Sequence, residues 1–311
     1  MRDFAPMPWM IGLIGIFALM ACVPVGPGVA PVVAQTPQVG AQAPVLAQPV
    51  APPTHLAPEA PVPSISSAAA VVMDAVTGRI LAEKNSEERR AVASTQKILT
   101  ALVTLESGPL SDPVTVVKSD TQVEPSKVYI LEGETYTRVA LVKALMVKSG
   151  NDVAKALARD VSGSEAACVQ QMNNRALSLG MRNSNFMNPH GLTETGQYST
   201  ARDIAILGRQ AYQSPIMRSF VATKSYTFTR PNGKTKTLTN TNELLSSLSY
   251  CTGMKTGTTR ASGNCLVSCG ELGGRAVIVV VLGAKGKPML YRDSESLLRW
   301  GLERPDVVSQ N

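Results

Sequence analysis

Where the prolines fall sets the first limit on what this chain can build. More than half of its 21 prolines lie between Val23 and Pro63, in runs such as "APVLAQPVAPPTHLAPEAPVP" that carry almost no charge and no period. Proline removes the N–H that helices and central strands need and fixes φ, so residues 23–63 are expected as an extended, solvated tether. Folding is left to residues 64–304, with a short tail at 305–311. Ahead of the tether, "MRDFAPMPWMIGLIGIFALMACVPV" has Arg2 and then an apolar stretch from Trp9 to Ala21. That stretch is too short to span a membrane comfortably and reads as a signal peptide over residues 1–22.

The 311 residues are 44% hydrophobic, enough for a sizeable core. "SAAAVVMDAVTGRILAEKN" reads as a hairpin turning at Val76-Thr77-Gly78. Helical stretches follow at 94–107, 137–148, 152–160 and 164–179, the last closed by Gly180. "SYTFTRPNGKTKTLTN" is a second hairpin with Pro231-Asn232-Gly233 at its tip, and "YCTGMKTGTT", "SGNCLVSCGE" and "RAVIVVVLGAK" supply three more strands. "YRDSESLLRWGLE" is a closing helix. Strands at both ends and helices between them predict an α/β chain of the α+β kind, with an antiparallel sheet from the two ends of the domain and an all-helical insert.

Within "RRAVASTQKILTALVTLESG", Ser94 and Lys97 stand three apart at the head of a run that is apolar on nearly every side. That is the pattern of a helix packed inside a protein. Three residues make almost one helical turn, so the Lys97 ammonium can reach the Ser94 hydroxyl. Desolvation lowers the pKa of a lysine held there, which suits it to act as a base. A Ser-x-x-Lys string arises by chance on the order of once in such a chain, most often as a helix cap followed by a surface lysine. Here it occurs once and is followed, in order, by Ser149-Gly150-Asn151 and Lys255-Thr256-Gly257. The expected layout places Ser149 and Asn151 on a sharp turn between two helices, permitted by Gly150. Lys255 to Gly257 lie on a strand that a ligand can approach closely, so three segments would line one cleft.

The formal net charge is +7, but Lys and Arg are scattered and aromatics are 5%, so nucleic acid is not an expected partner. An anionic cell-wall polymer fits the charge equally well. Besides Cys22 there are Cys168, Cys251, Cys265 and Cys269. In an exported protein they can oxidise, and a turn centred near Arg260 would set Cys251 opposite Cys269. The alternative is buried free thiols.

The three motifs resemble those of low-molecular-mass penicillin-binding proteins of the D-alanyl-D-alanine carboxypeptidase family. The likeness extends to "FMNPHGLTETGQYSTARDIAILGRQ", "TNTNELL" and "GMKTGTTRASGNCLV", and so covers about residues 66 to 303. It implies the penicillin-binding-protein/β-lactamase-like transpeptidase fold and a serine peptidase that trims peptidoglycan stem peptides ending in D-Ala-D-Ala. Carboxypeptidase action is the first reading, with D,D-endopeptidase action in the same family as the alternative. By that resemblance Ser94 is the nucleophile and Lys97 its base. Ser149 relays the proton, Asn151 orients Lys97 and the substrate amide, and Lys255 with Thr256 holds the terminal carboxylate. The backbone amides of Ser94 and Thr258 form the oxyanion hole. It also implies β-lactams as covalent inhibitors and no cofactor.

Many members carry a further β-rich domain and a C-terminal amphipathic anchor, whereas this chain stops at Asn311. An N-terminal attachment would then replace the anchor in the cell envelope. Leu19-Met20-Ala21-Cys22 resembles the lipobox of bacterial lipoproteins, which would make Cys22 a lipidation site. Cleavage near Val32-Val33-Ala34 and an uncleaved anchor are the alternatives.

Three other activities fit less well. A class A β-lactamase needs a Glu-x-x-Leu-Asn string between the second and third motifs, and none is present. A zinc carboxypeptidase needs clustered ligands, but the two histidines are His55 in the tether and His190 in "NPHGL", which also leaves a Ser-His-Asp hydrolase short. A silent wall-binding module would have lost the nucleophile or the base, and both are intact.

Overall fold

The computed structural model describes residues 61–304. The expected signal peptide, most of the tether, Cys22 and the tail lie outside the described residues. The chain opens with β1 (Ala69–Asp74) and returns as β2 (Ile80–Lys84). Asp74 Oδ1 accepts from the amides of Val76 and Thr77 at 3.0 and 2.7 Å, a closure that an Asx side chain supplies and an apolar one cannot. A 3-10 turn at Ala93–Gln96 leads into α1 (Lys97–Glu106), then β3 (Pro113–Thr115), α2 (Lys118–Thr121) and β4 (Thr135–Thr137). The helical block continues with α3 (Arg138–Lys148), α4 (Asn151–Ser162), α5 (Glu165–Ser178), α6 (Ala201–Gln213) and α7 (Pro215–Val221). Next come the hairpin β5 (Ser225–Thr229) and β6 (Thr235–Thr239), then short α8 (Leu244–Ser247). The strands β7 (Cys251–Thr259), β8 (Gly263–Leu272) and β9 (Arg275–Ala284) precede α9 (Lys287–Glu303).

The main sheet has the order β2-β1-β9-β8-β7, every pair antiparallel, so the two ends of the domain do share one sheet. Its faces alternate with the period of two that strands impose. Ile278, Val280 and Leu282 of β9 face the helical block together with Val71 and Met73 of β1. Val277, Val279 and Val281 face the opposite layer, where Leu290, Leu297 and Leu298 of α9 cover them. The helix that follows Ser94 is packed inside the protein, as its apolar run predicts, but not against the sheet. α1 is buried among α3, α4, α5 and α6, and the 3-10 turn ahead of it, rather than α1 itself, packs on β7 and β8. Leu99 of α1 is fully buried, so its replacement by alanine costs about 2–5 kcal/mol.

Helices α6 and α7 go beyond those expected. Their start signals stand in the sequence: Thr200 Oγ1 accepts from Asp203 N at 3.1 Å and Ser214 Oγ from Met217 N at 3.4 Å. Of the two readings of the cysteines, buried free thiols is the one the structure shows. Cys168, Cys251, Cys265 and Cys269 are free and buried. The β7–β8 turn centres on Ala261, one residue past the expected Arg260, which pairs Thr258 with Asn264 and Gly253 with Cys269, and a bulge between Cys251 and Gly253 then sets Cys251 opposite Gly270. The extra residue of a bulge turns side chains to the other face. Cys251 packs on the α9 side of the sheet and Cys269 on the helical side.

Candidate active site

The expected helix start at Ser94 is instead a 3-10 turn, in which Ala93 takes the left-handed φ of 49°. Ser94 is part-exposed, while Lys97 has 0% of its surface exposed. The spacing of three still brings the two side chains together. Lys97 Nζ lies 2.7 Å from Ser94 Oγ, 2.7 Å from Asn151 Oδ1 and 2.5 Å from the His190 carbonyl oxygen. Burial holds the Lys97 amine well below its ordinary pKa, and the nearby Lys255 pushes it further down against the pull of Asp152. A neutral amine has two N–H donors and a lone pair. Donating to Asn151 and His190 leaves that lone pair facing the Ser94 hydroxyl.

Ser149, Gly150 and Asn151 join α3 to α4, as expected, but the strain sits elsewhere. Ser149 adopts the left-handed φ of 65°, while Gly150 has an ordinary φ of −61°. Glycine is required at 150 for space: a Cβ there would stand 2.7 Å from Asp152 Oδ1 and 2.8 Å from Val128 Cγ2. Asn151 is gripped on three sides. Its Oδ1 accepts from Lys97, its Nδ2 donates to the Glu124 carbonyl at 2.8 Å, and its amide donates to the Ser126 carbonyl at 2.7 Å.

Lys255, Thr256, Gly257 and Thr258 lie on the edge strand β7. Lys255 is 1% exposed, its Nζ donates to the Thr256 carbonyl at 3.1 Å, and burial pushes its pKa down to about 7. Thr256 Oγ1 lies 2.6 Å from Thr241 Oγ1. Gly257 lines the cleft, and its missing side chain also makes room within the protein. A Cβ there would stand 2.8 Å from Ser94 N and 3.0 Å from Thr95 N, so this glycine admits the turn that carries Ser94. Thr258 Oγ1 donates to Asn264 Oδ1 at 3.1 Å. Asn264 belongs to a second Ser-Gly-Asn string, Ser262 to Asn264, at the β7–β8 turn.

Ser94, Ser149, Asn151, Thr256, Gly257 and Thr258 line one cleft of about 200 Å³. Lys97 and Lys255 lie beneath its floor. The arrangement pairs a hydroxyl with a buried amine and a strand edge with a buried cation, which suits attack on a carbonyl next to a carboxylate. Three contributors escaped the sequence reading. Thr241 supplies a hydroxyl beside Thr256. Asp152 is a buried carboxylate one residue past the second motif. His190, expected as a loop residue, acts through its carbonyl, and its imidazole is pushed down to about 3 by burial and the charges of Lys97 and Lys155. Gly191 beside it has a φ of 86° and lies so close to Ala93 that a Cβ would fall 2.3 Å from the Ala93 carbonyl oxygen. Among the described residues no cluster of His, Cys, Asp or Glu is arranged to hold a metal ion.

Residues 55–286 match the family model for D-alanyl-D-alanine carboxypeptidases. The chain is 37% identical over 272 residues to D-alanyl-D-alanine carboxypeptidase DacC of Escherichia coli, covering 83% of this chain and 67% of that protein. It is 36% identical over 220 residues to D-alanyl-D-alanine carboxypeptidase DacF of Bacillus subtilis, covering 69% of this chain and spanning 57% of that relative's length. The Streptomyces K15 DD-transpeptidase superposes with a TM-score of 0.74 at 31% identity, covering 78% of this chain and 99% of that one. On the match of its sequence, its fold and its three motifs, the chain belongs to the D-alanyl-D-alanine carboxypeptidase family of serine peptidases.

Proposed function

We propose that this protein removes the terminal D-alanine from peptidoglycan stem peptides through an acyl-enzyme on Ser94. The observation that carries the reading is the 2.7 Å contact between Ser94 Oγ and the buried Lys97 Nζ. Ser94 Oγ bonds to the carbonyl carbon of the penultimate D-alanine while Lys97 takes the hydroxyl proton. The amides of Ser94 and Thr258 receive the oxyanion. The C–N bond then breaks, and the departing amine takes a proton passed through Ser149. Asn151 holds Lys97 and the substrate amide, and Lys255 with Thr256 holds the terminal carboxylate, which sets the scissile bond over Ser94. Water then attacks the ester and restores the enzyme.

A penicillin places its lactam carbonyl and carboxylate on the same groups, and its opened ring stays attached and blocks water. The domain, residues 64–304, works in the cell envelope, exported by residues 1–22 and held at the membrane through the 23–63 tether, with Cys22 as the lipid attachment. Arg2, the apolar Trp9–Ala21 stretch and the lipobox-like string support this reading, and among the described residues no helix is long and apolar enough to cross a membrane.

The test is labelling. Wild-type protein should gain one penicillin mass on the peptide containing Ser94, and Ser94→Ala should gain none. Release of D-alanine from pentapeptide should fall on the order of 10³-fold or more in that variant. Wild-type protein that binds pentapeptide without labelling or turnover would be a binding module instead.

A further inference from the structure

Asp152 is a carboxylate with 1% of its surface exposed, yet no Lys, Arg or His among the described residues forms an ion pair with it. Burying an unpaired charge is costly unless hydrogen bonds compensate. One comes from Val153 N on α4, at 3.0 Å from Oδ1, and the others from one loop. Asp152 Oδ1 accepts from Val128 N at 3.0 Å, and Oδ2 accepts from Tyr129 N at 2.7 Å and Ile130 N at 3.3 Å. The same loop returns the carbonyls of Glu124 and Ser126 to Asn151, and Ser126 lines the cleft. Tyr129 is held there in the left-handed region, at a φ of 68°. A strained non-glycine residue persists where its surroundings over-determine it. Gly150 is the counterpart, since any side chain at 150 would displace Asp152 Oδ1.

We propose that Asp152 is a positioning residue for the acylation: its carboxylate locks the 124–130 loop onto the head of α4, so that Asn151 is held on Lys97. The inference rests on the proposed reaction at Ser94 and extends the second motif to four residues, Ser149 to Asp152. The charged groups around the pair are few. Lys255 on β7 opposes Asp152 in setting the state of Lys97. His190 bears its carbonyl on Lys97, and its ring faces Glu165, which also meets Lys155. Tyr136 on β4 feels Asp152 as well. Asp152 favours the protonated form of Lys97, and the base must be neutral to act. Removing the negative charge therefore lowers the pH at which Lys97 becomes competent.

The experiment follows the second-order rate of penicillin acylation against pH for wild type, Asp152→Asn and Gly150→Ala, each checked by thermal melting. Wild-type labelling at Ser94 is the control, and its failure would reject the proposed function itself. Asp152→Asn should acylate about 10- to 100-fold more slowly, because Asn151 loses its brace, with the acidic limb of the profile moved to lower pH. A folded Asp152→Asn protein whose rate is wild type, or whose acidic limb does not move, overturns the inference. Should that variant not fold, Gly150→Ala keeps the charge while pressing a methyl on the carboxylate. It should acylate slowly with the limb unmoved, and a wild-type rate overturns the inference.

Discussion

Gly257 is the position where one added methyl group tests how the nucleophile is seated. In Gly257→Ala the new Cβ would stand 2.8 Å from Ser94 N and 3.0 Å from both Thr95 N and Ala93 Cβ. Two of these neighbours are backbone atoms, which cannot swing aside as the end of a side chain can. Ordinary contact begins at 3.4 Å, so the 3-10 turn must retreat from β7 by about 0.6 Å, the difference between 3.4 and 2.8 Å. Overpacking of this size costs about 1–3 kcal/mol, and each kcal/mol lowers the Tm by about 2–4 °C in a domain of this size. The same retreat carries Ser94 away from the strand that presents substrate and loosens its 2.7 Å contact with Lys97. Misplacement on that scale costs on the order of 10- to 100-fold in rate. Stopped-flow acylation with a fluorescent penicillin, beside a thermal melt, reads both effects. A lowered Tm with a wild-type acylation rate would refute the claim that this glycine seats the nucleophile.

Three further outcomes are expected. Lys97→Arg keeps the positive charge but installs a group that does not deprotonate in proteins, so acylation should fall on the order of 10²–10⁴-fold while the cooperative melt persists; near-normal acylation would mean that another group is the base. Lys255 sits near pKa 7 through burial, and a bound carboxylate favours its cation. Binding therefore takes up a proton above that pH, and KM for pentapeptide should rise as pH climbs past about 7, whereas a flat KM profile from pH 6 to 9 would remove Lys255 from carboxylate binding. Alkylation of the denatured protein without reductant should modify Cys168, Cys251, Cys265 and Cys269 alike, and a mass showing two of them unmodified and linked would contradict the register described above.

The sheet could be read from the sequence because its strands announce themselves in runs such as "RAVIVVVLGAK" and its turns carry their own chemistry at Thr77-Gly78 and Asn232-Gly233. The three motif segments were legible for the same reason: each is short and local. What escaped was non-local. No periodicity reports that the β7–β8 turn centres one residue past Arg260 or that β7 carries a bulge after Cys251, and the two together decided the cysteine pairing. Nor does Gly257 reveal from the sequence whether it makes room for a ligand or for Ser94, because the neighbour is 163 positions away in the chain. His190 was discounted because its imidazole was considered, whereas its carbonyl is the group on Lys97. Asp152 escaped because a carboxylate in the first turn of a helix ordinarily faces solvent, and only the fold shows three loop amides converging on it.

The proposed reaction asks the two buried lysines for opposite protonation states. Lys97 must be neutral when Ser94 attacks, and Lys255 must be cationic when the terminal carboxylate arrives. Burial alone cannot separate them, because both are almost wholly enclosed. Their neighbours do. The charge of Lys255 adds to burial in driving the proton from Lys97, and that repulsion is mutual, so a group that holds one lysine charged favours the neutral form of the other. When one proton leaves the pair, one cation therefore remains. An arriving carboxylate then acts on the remaining cation: it favours protonated Lys255, and a protonated Lys255 keeps Lys97 deprotonated and ready to accept the Ser94 proton. Under the proposed reaction the terminal carboxylate thus does more than anchor the peptide, since it helps hold the anchor charged and the base uncharged. A C-terminally amidated peptide supplies no such charge, so its loss should appear in kcat as well as in KM.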